Sequence, residues 1–400
     1  MALPRILFVG TFPPHPGGSG VVNGYLLKGL HDLGYPLSLV TPSSPETAGR
    51  AELVRHVYPG TALAEVPATH AVTTPWATRW DDPARLAQVS RMQEICVREA
   101  DRFDPEIIFV GREIYLESVL PWAVPRNLSV IGRVPAGALL LDDVHGVEAL
   151  QYALDLLSKA DAVIVPGYHV EAGMRKHGLG NVVTIQNPVD LVRFRPAPVD
   201  HELAARLDLG TDRVVVAHAS NLKPVKRIQD IVAAAQAAVA RDRRLIFLII
   251  GDGQDRAALE QAVHVSGLKE HFRFTGWVGH DRVDAHLRLA HMALMPSATE
   301  GLAAAYLEAM ATGLPLLASD IAGAREVVDH GKNGFLFPVG DAAAISDLIV
   351  ALAADPDLRL RVGANARAYV ERNHQLDSAI DLLRRVVTGL VRRGSTVAAQ

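Results

Sequence analysis

Short apolar runs rich in Val, Ile and Leu alternate along this chain with stretches whose apolar positions recur every three to four residues. Residues 6–9, 37–41, 107–110, 129–131, 162–165 and 182–185 read as buried strands, with helical patterns such as 21–33 between many of them. A turn signal, Asn187-Pro188-Val189-Asp190, interrupts the series. The pattern then restarts with strands expected at 214–218, 245–250, 273–275, 293–295, 316–318 and 334–337. Strand–helix alternation of this kind predicts parallel sheets covered by helices on both faces. The expected architecture is α/β, with two Rossmann-like doubly wound domains facing a central cleft. Their expected limits are 1–187 and 188–364. A last long helical pattern at about 364–391 follows the completed second set of strands, so residues 365–400 are expected to return to the first domain.

Composition narrows the function classes. The chain has 400 residues, 49% hydrophobic and 21% charged, which is ample apolar material for two cores. A net charge of −4 gives no electrostatic footprint for nucleic acid or an anionic membrane surface. The single cysteine, Cys96, excludes an internal disulfide. No signal-peptide pattern and no uninterrupted apolar run of membrane-spanning length is visible, so a soluble, cytoplasmic protein without stable membrane insertion is expected. Seven of the 40 basic residues are lysine, in an alanine-rich chain, a composition expected of a high-GC bacterial genome.

The candidate chemistry falls at strand ends, where open α/β folds bind ligands. The segment from Pro296 to Glu308, PSATEGLAAAYLE, carries two carboxylates eight positions apart. Eight helical residues span roughly 12 Å, too far to share a proton and suited to two grips on one long ligand. Glu300 is expected in the loop ahead of a helix N-terminus, whose free amides favour a phosphate or a polar sugar, and Glu308 about two turns on. Alternatively, the two acids are a helix-capping residue and a solvated one.

GGSG, Gly17, Gly18, Ser19 and Gly20, precedes a helix and reads either as a flexible loop or as backbone open to a phosphate or sugar. It lacks the G-x-G-x-x-G spacing, and after Gly251-Asp252-Gly253 the third-glycine position is Arg256, which disfavours a nicotinamide enzyme. Lys223 and Lys226 in SNLKPVKR follow the first strand of the second half and either neutralise a leaving diphosphate or form a solvated basic turn. No H-x3-H pair with a nearby acid exists, and the one Asp-x-Asp, Asp355-Pro356-Asp357, reads as a helix cap, so no metal site is expected. A G-x-S-x-G elbow is also missing, and Cys96 has no evident histidine partner, which disfavours nucleophilic hydrolysis.

Together GGSG, NPVD, SNLKPVKR, GDG, EGLAAAYLEAMATGLP and GAREVVDHGKNGFLFPVGD resemble the retaining glycosyltransferases of the GT-B fold, family 4 (glycosyl transferases group 1). Within that family GGSGVV and SNxxxVKR are similar to the N-acetylglucosaminyl-malate synthases of bacillithiol synthesis. The resemblance spans nearly the whole chain and is dense from about residue 187 to 341. It implies a retaining, metal-independent hexosyltransferase that needs no cofactor. The co-substrate would be a nucleotide-diphosphate sugar, UDP-linked or alternatively GDP-linked, held by the second domain.

By the same resemblance Lys226 contacts the diphosphate, Glu300 and the following Gly301, Leu302 and Ala303 the hexose, and Glu308 the ribose. Gly253, Trp277 and Val278 lie near the base, and the Gly17–Gly20 loop closes over the donor diphosphate and the acceptor. Asn221 replaces the family's usual arginine, with Lys223 restoring one charge, and Ala303 adds a Cβ at the donor. The family's histidine after the strand at 129–131 is missing; Ala136 is near that place, and Arg133 or His145 is either its substitute or a structural or surface residue. From their place after the strand at 107–110, Arg112 and Glu113 are either further acceptor contacts or an ordinary surface ion pair. The expected acceptor is a small, soluble, polar molecule, with secondary metabolism or low-molecular-weight thiol synthesis as settings. Three alternatives stay open: a non-catalytic sugar-nucleotide-binding protein, a phosphorylase, and an S-glycosyltransferase. Oligomeric state is open, with a homodimer one choice.

Overall fold

The computed structural model describes residues 2–13, 17–42, 54, 57–66, 82–135 and 147–397. The backbone divides into two units, Met1–Asn187 with Leu376–Gln400, and Pro188–Gln375.

The first unit contains β1 (Ile6–Val9), β2 (Leu37–Pro42), β3 (Ala62–Val66), β4 (Ile107–Val110), β5 (Ser129–Arg133), β6 (Ala162–Val165) and β7 (Val182–Thr184). They form one sheet in the order β3-β2-β1-β4-β5-β6-β7, every pair parallel. The central strands ILFV and IIFV are buried along their whole length, as strands covered by helices on both faces must be. The chain first builds outward from β1 to β3, then returns past β1 to lay down β4–β7. The strand order therefore reverses between β1 and β4.

The second unit contains β8 (Val214–Ala219), β9 (Leu245–Ile250), β10 (Phe272–Phe274), β11 (Met292–Met295), β12 (Leu316–Ser319) and β13 (Gly334–Phe337). Their order is β10-β9-β8-β11-β12-β13, again all parallel, with the reversal between β8 and β11. Alternate residues of one strand feed two cores: Val215 and Ala217 pack with Leu307, Met310 and Val370, whereas Val214 and Val216 pack with Ile231, Ala235 and Ile349. Each fully buried aliphatic side chain contributes roughly 1.5–3 kcal/mol.

Three elements depart from the sequence pattern. β3, ALAEV, carries no sustained apolar run and becomes a strand through its ladder with β2, from Ser38↔Ala62 to Pro42↔Val66. The GGSG motif is not a loop ahead of a helix: the helix Gly18–Asp32 begins within it, and only Gly17, at φ 114°, lies outside. The helical pattern at 364–391 is two helices, Pro356–Asn373 and Leu376–Val397. His374 separates them; its carbonyl accepts the Val189 amide at 3.1 Å. Residues 365–375 thus stay with the second unit, and only Leu376–Val397 belongs to the first. There it packs on the helix Gly18–Asp32, where Gly29 leaves room for the Ile380 side chain: a Cβ would lie 2.1 Å from its Cδ1. Among the described residues, no helix is long and apolar enough to cross a membrane.

Candidate functional site

In the second unit the carboxyl ends of β8 and β11 flank the reversal point of the sheet, the place where doubly wound folds bind ligands. After β8 the chain turns through a short 3-10 segment, Pro224–Lys226, and Arg227 adopts a left-handed φ of 50° before the helix Ile228–Arg241. Bidentate bonds from Arg227 to Asp230, 2.7 and 3.0 Å, hold that turn. After β11 the chain runs through Pro296 to Glu300 and enters the helix Ala304–Ala311. The Ala298 amide donates to the Val225 carbonyl at 2.8 Å, tying the two strand-end loops together. This tie brings Lys226 Nζ onto Glu300 Oε1 in an ion pair, the two side chains 22% and 13% exposed. Burial first, and then the Glu300 carboxylate, push the Tyr306 hydroxyl well above its ordinary range.

The Glu300 loop is fixed from below as well. A Cβ on Gly323 would lie 2.5 Å from the Gly301 carbonyl and 2.6 Å from that of Glu300, so only glycine lets these backbones meet. Leu302 is buried, and Ala303 stands at the N-cap with no side-chain cap of its own. The first-turn amides of the helix Ala304–Ala311 therefore have no capping side chain, a setting that favours an anion or polar oxygen. Because this helix starts at Ala304, Glu308 sits little more than one turn in, not two.

Glu308 is nearly buried and already engaged: its Oε1 lies 2.8 Å from His280 Nε2. Arg193 Nη1 approaches the other ring nitrogen of His280 at 3.3 Å, and the Phe194 ring lies 5.5 Å from it. A second buried histidine, His218, ends β8. Its Nδ1 donates to the Leu294 carbonyl at 2.8 Å, so Nε2 accepts from the Ser220 hydroxyl at 2.6 Å. The Asn221 carbonyl is a longer alternative acceptor for that hydroxyl, at 3.2 Å. Burial, against the Leu294 bond and aided by the Lys226 charge, pushes His218 down to about 4.

Gly253 and Gly251 are explained within the protein. Added Cβ atoms would lie 2.4 Å from the Leu222 carbonyl and 2.0 Å from the Ser220 carbonyl. The GDG turn thus packs on the backbone that carries Asn221 and Lys223, with Leu222 N donating to the Asp252 carbonyl at 2.9 Å. Arg256, at the position of the missing third glycine, bridges Asp252 and Glu260, each at 2.9 Å. Trp277 is 47% exposed, and Val278 packs on the core beneath. Lys223 is exposed and Asn221 half-buried. Cys96 is inert: full burial raises its thiol well above the ordinary range. Asp355 caps its helix as its sequence context predicts, accepting Leu358 N at 2.8 Å. Among the described residues, no three His, Cys, Asp or Glu side chains group as a metal site would.

The first unit has its own polar cluster at the reversal point between β1 and β4. Asn23 donates to the carbonyls of Thr11 and Gly111 at 2.9 and 3.3 Å. Arg133 is buried, donating to Asn23 Oδ1 at 3.2 Å and Asn187 Oδ1 at 2.9 Å, and burial lowers its guanidinium to about 10. Glu113 is buried nearby; desolvation raises its carboxyl, opposed by the charges of Arg112 and Arg133. Glu113 Oε2 and Arg112 Nε have no hydrogen-bond partner among the described residues. His145 lies outside the described residues. Sequence reasoning missed His218, Arg193, His280, Asn23 and Asn187 as site-forming groups. A local signal existed only for His218, at a strand end; His280 meets partners 28 and 87 positions away.

Residues 200–369 match the family model for glycosyl transferases group 1, nearly the whole of the second unit. That match makes the second unit similar to the group 1 glycosyltransferases. The chain is 26% identical over 375 residues to the N-acetyl-alpha-D-glucosaminyl L-malate synthase of Bacillus anthracis, covering 90% of this chain and 91% of that enzyme. It is 33% identical over 198 residues to a GDP-mannose-dependent alpha-(1-6)-phosphatidylinositol monomannoside mannosyltransferase of Mycobacterium tuberculosis, a match to about half of each protein, 48% and 51%. Among solved structures, Anabaena HepE in complex with UDP and glucose superposes with a TM-score of 0.81 at 18% identity, covering 96% of this chain and all of that one. The fold is GT-B, and group 1 enzymes use nucleotide sugars.

Proposed function

We propose that this protein is a group 1 glycosyltransferase that moves a hexose from a nucleotide-diphosphate sugar to a small polar acceptor, with retention at the anomeric carbon and without a metal ion. UDP-sugars are favoured, since solved relatives of the same fold hold UDP, and a GDP-sugar is the alternative. The observation that carries this reading is the Lys226–Glu300 pair at the reversal point of the second sheet.

In the resting protein each charge satisfies the other. A bound donor replaces that pairing: the diphosphate takes the Lys226 ammonium, and hexose hydroxyls donate to the Glu300 carboxylate, together with the Gly301–Ala303 amides. Lys223 and Asn221 stand on the same turn, positioned to add donors to the phosphate oxygens. The bond from the anomeric carbon to the phosphate oxygen breaks as the acceptor attacks from the same face. The leaving phosphate oxygen takes the acceptor proton, and Lys226 stabilises the charge that builds there. Glu308 holds the ribose, with the base at Gly253, Trp277 and Val278. Gly17 to Gly20, at the start of the first unit's first helix, offer amides to the donor. Arg112 and Glu113 contact the acceptor; beside them Asn23, itself held by Arg133, donates to the Gly111 carbonyl.

Thermal-shift binding against UDP, GDP, ADP and dTDP and their sugar derivatives, with chelator present, tests the donor site. A ligand at about 100 times Kd stabilises the fold by about 2.7 kcal/mol. A shift confined to one nucleotide family is expected, and no shift with any of them overturns the reading. Turnover with that donor and an acceptor panel, with the product anomer assigned by NMR, then tests transfer and retention. Binding without turnover would leave a sugar-nucleotide-binding protein.

A further inference from the structure

We infer that Arg193 and His280 form a positioning relay that holds Glu308 with one oxygen committed to the protein and the other left for the nucleoside. This rests on the proposal that Glu308 takes the ribose. Neither residue belongs to the motifs that mark the donor site; their role comes from geometry alone.

The hydrogen-bond chemistry fixes the direction of the relay. A guanidinium only donates, so at the 3.3 Å contact between Arg193 Nη1 and His280 Nδ1 the ring nitrogen must accept. The proton of the neutral imidazole then sits on Nε2, which donates to Glu308 Oε1 at 2.8 Å. A ring with protons on both nitrogens would turn an N–H against the Arg193 guanidinium. Arg193 therefore selects the tautomer that can hold the carboxylate. With Oε1 occupied by His280, Oε2 is the oxygen that remains to accept from a ligand hydroxyl.

The relay is itself braced. Asp190, the last residue of NPVD, accepts the amides of Val192 at 3.1 Å and Arg193 at 3.0 Å, fixing the turn that projects Arg193. Phe194 next to it is fully buried with its ring against His280, and Arg367 donates to the carbonyls of both Phe194 and Leu191. His280 opens the helix His280–Leu287 directly after Gly279. The NPVD turn thus does more than join two units: through Arg193 it reaches a carboxylate more than a hundred positions away.

The test separates a hydroxyl grip from general support. Whichever of UDP and GDP binds the wild-type protein is titrated, together with its 2′,3′-dideoxy form, against wild type, His280→Phe and His280→Gln. His280→Phe is expected to weaken the ribonucleotide by roughly tenfold, the scale of one lost hydrogen bond to a charged group, and to leave the dideoxy form within about twofold. His280→Gln, which keeps an N–H, is expected to recover most of the loss. In turnover the donor KM rises while kcat holds, because the ribose grip is the same in ground and transition states. Equal weakening of both nucleotides, or no weakening of either, overturns the relay. A wild-type protein that binds neither nucleotide overturns the donor reading itself, a separate outcome.

Discussion

Lys226 and Glu300 lie 74 positions apart in the chain and form an ion pair across the reversal point of the second sheet. One follows β8 and the other β11, and a single backbone bond, Ala298 N to Val225 O, keeps their loops in register. On the proposed function the pair holds both halves of a donor grip against each other in the free protein. In the proposed function, donor binding exchanges this contact for contacts to diphosphate and sugar; in the free protein the two charges meet each other.

Replacing either partner is therefore expected to harm catalysis far more than folding. Lys226→Ala and Glu300→Gln should each lower kcat/KM by at least roughly tenfold. The apo protein should lose only about 0–1 kcal/mol, since a partly exposed pair contributes little. Steady-state kinetics beside thermal melts check this. Wild-type rates in both variants would remove the residues from the mechanism.

Gly323 supplies a test that touches no ligand. Its Cβ would overlap the carbonyls of Glu300 and Gly301, both backbone atoms with no freedom to swing away. Gly323→Ala should push the Glu300 loop outward, costing about 1–3 kcal/mol of stability, and should weaken nucleotide-sugar binding more than nucleotide binding. Isothermal titration with UDP and a UDP-sugar, or the GDP pair, measures the difference. Equal effects on both ligands would mean that the loop does not reach the sugar.

His218 predicts a pH dependence with a definite sign. Its folded value, about 4, lies below the ordinary histidine value of 6.5, because burial disfavours the charged ring. Below pH 6.5 the unfolded chain takes up a proton that the folded chain refuses. The stability tied to this group is whole above pH 6.5 and is lost as pH falls toward 4, an effect on the order of a few kcal/mol. His218→Gln should lack this component, so its melting temperature should approach that of wild type on acidification. Parallel melting curves from pH 7.5 to 4.5 would rule it out.

Much of the fold is legible in the sequence because buried parallel strands leave an unmistakable record. Runs such as IIFV and LIFLII have apolar side chains on both faces, and each resolved into a strand where expected. ALAEV left no such record, since it is a strand only by virtue of its neighbour. The break at His374 was hidden for a similar reason: helical periodicity continues across it, and only the bond from Val189 marks where the chain leaves one unit for the other. Of the site, the residue types of Lys226, Glu300 and Glu308 were visible in their motifs, and the similarity to group 1 glycosyltransferases lies over the same strings.

What the sequence determined by itself is thus the local chemistry: which segments must be buried, which turns need glycine, and which charged groups stand at strand ends. Tertiary structure alone decided the pairings. It set Lys226 against Glu300, His280 between Arg193 and Glu308, and Arg133 between Asn23 and Asn187. The physical reason is that a hydrogen bond depends on distances of about 3 Å and on direction, whereas periodicity along the chain reports only which face a side chain occupies. Sheet order converts one into the other, and the order β10-β9-β8-β11-β12-β13 exists only once the chain has folded.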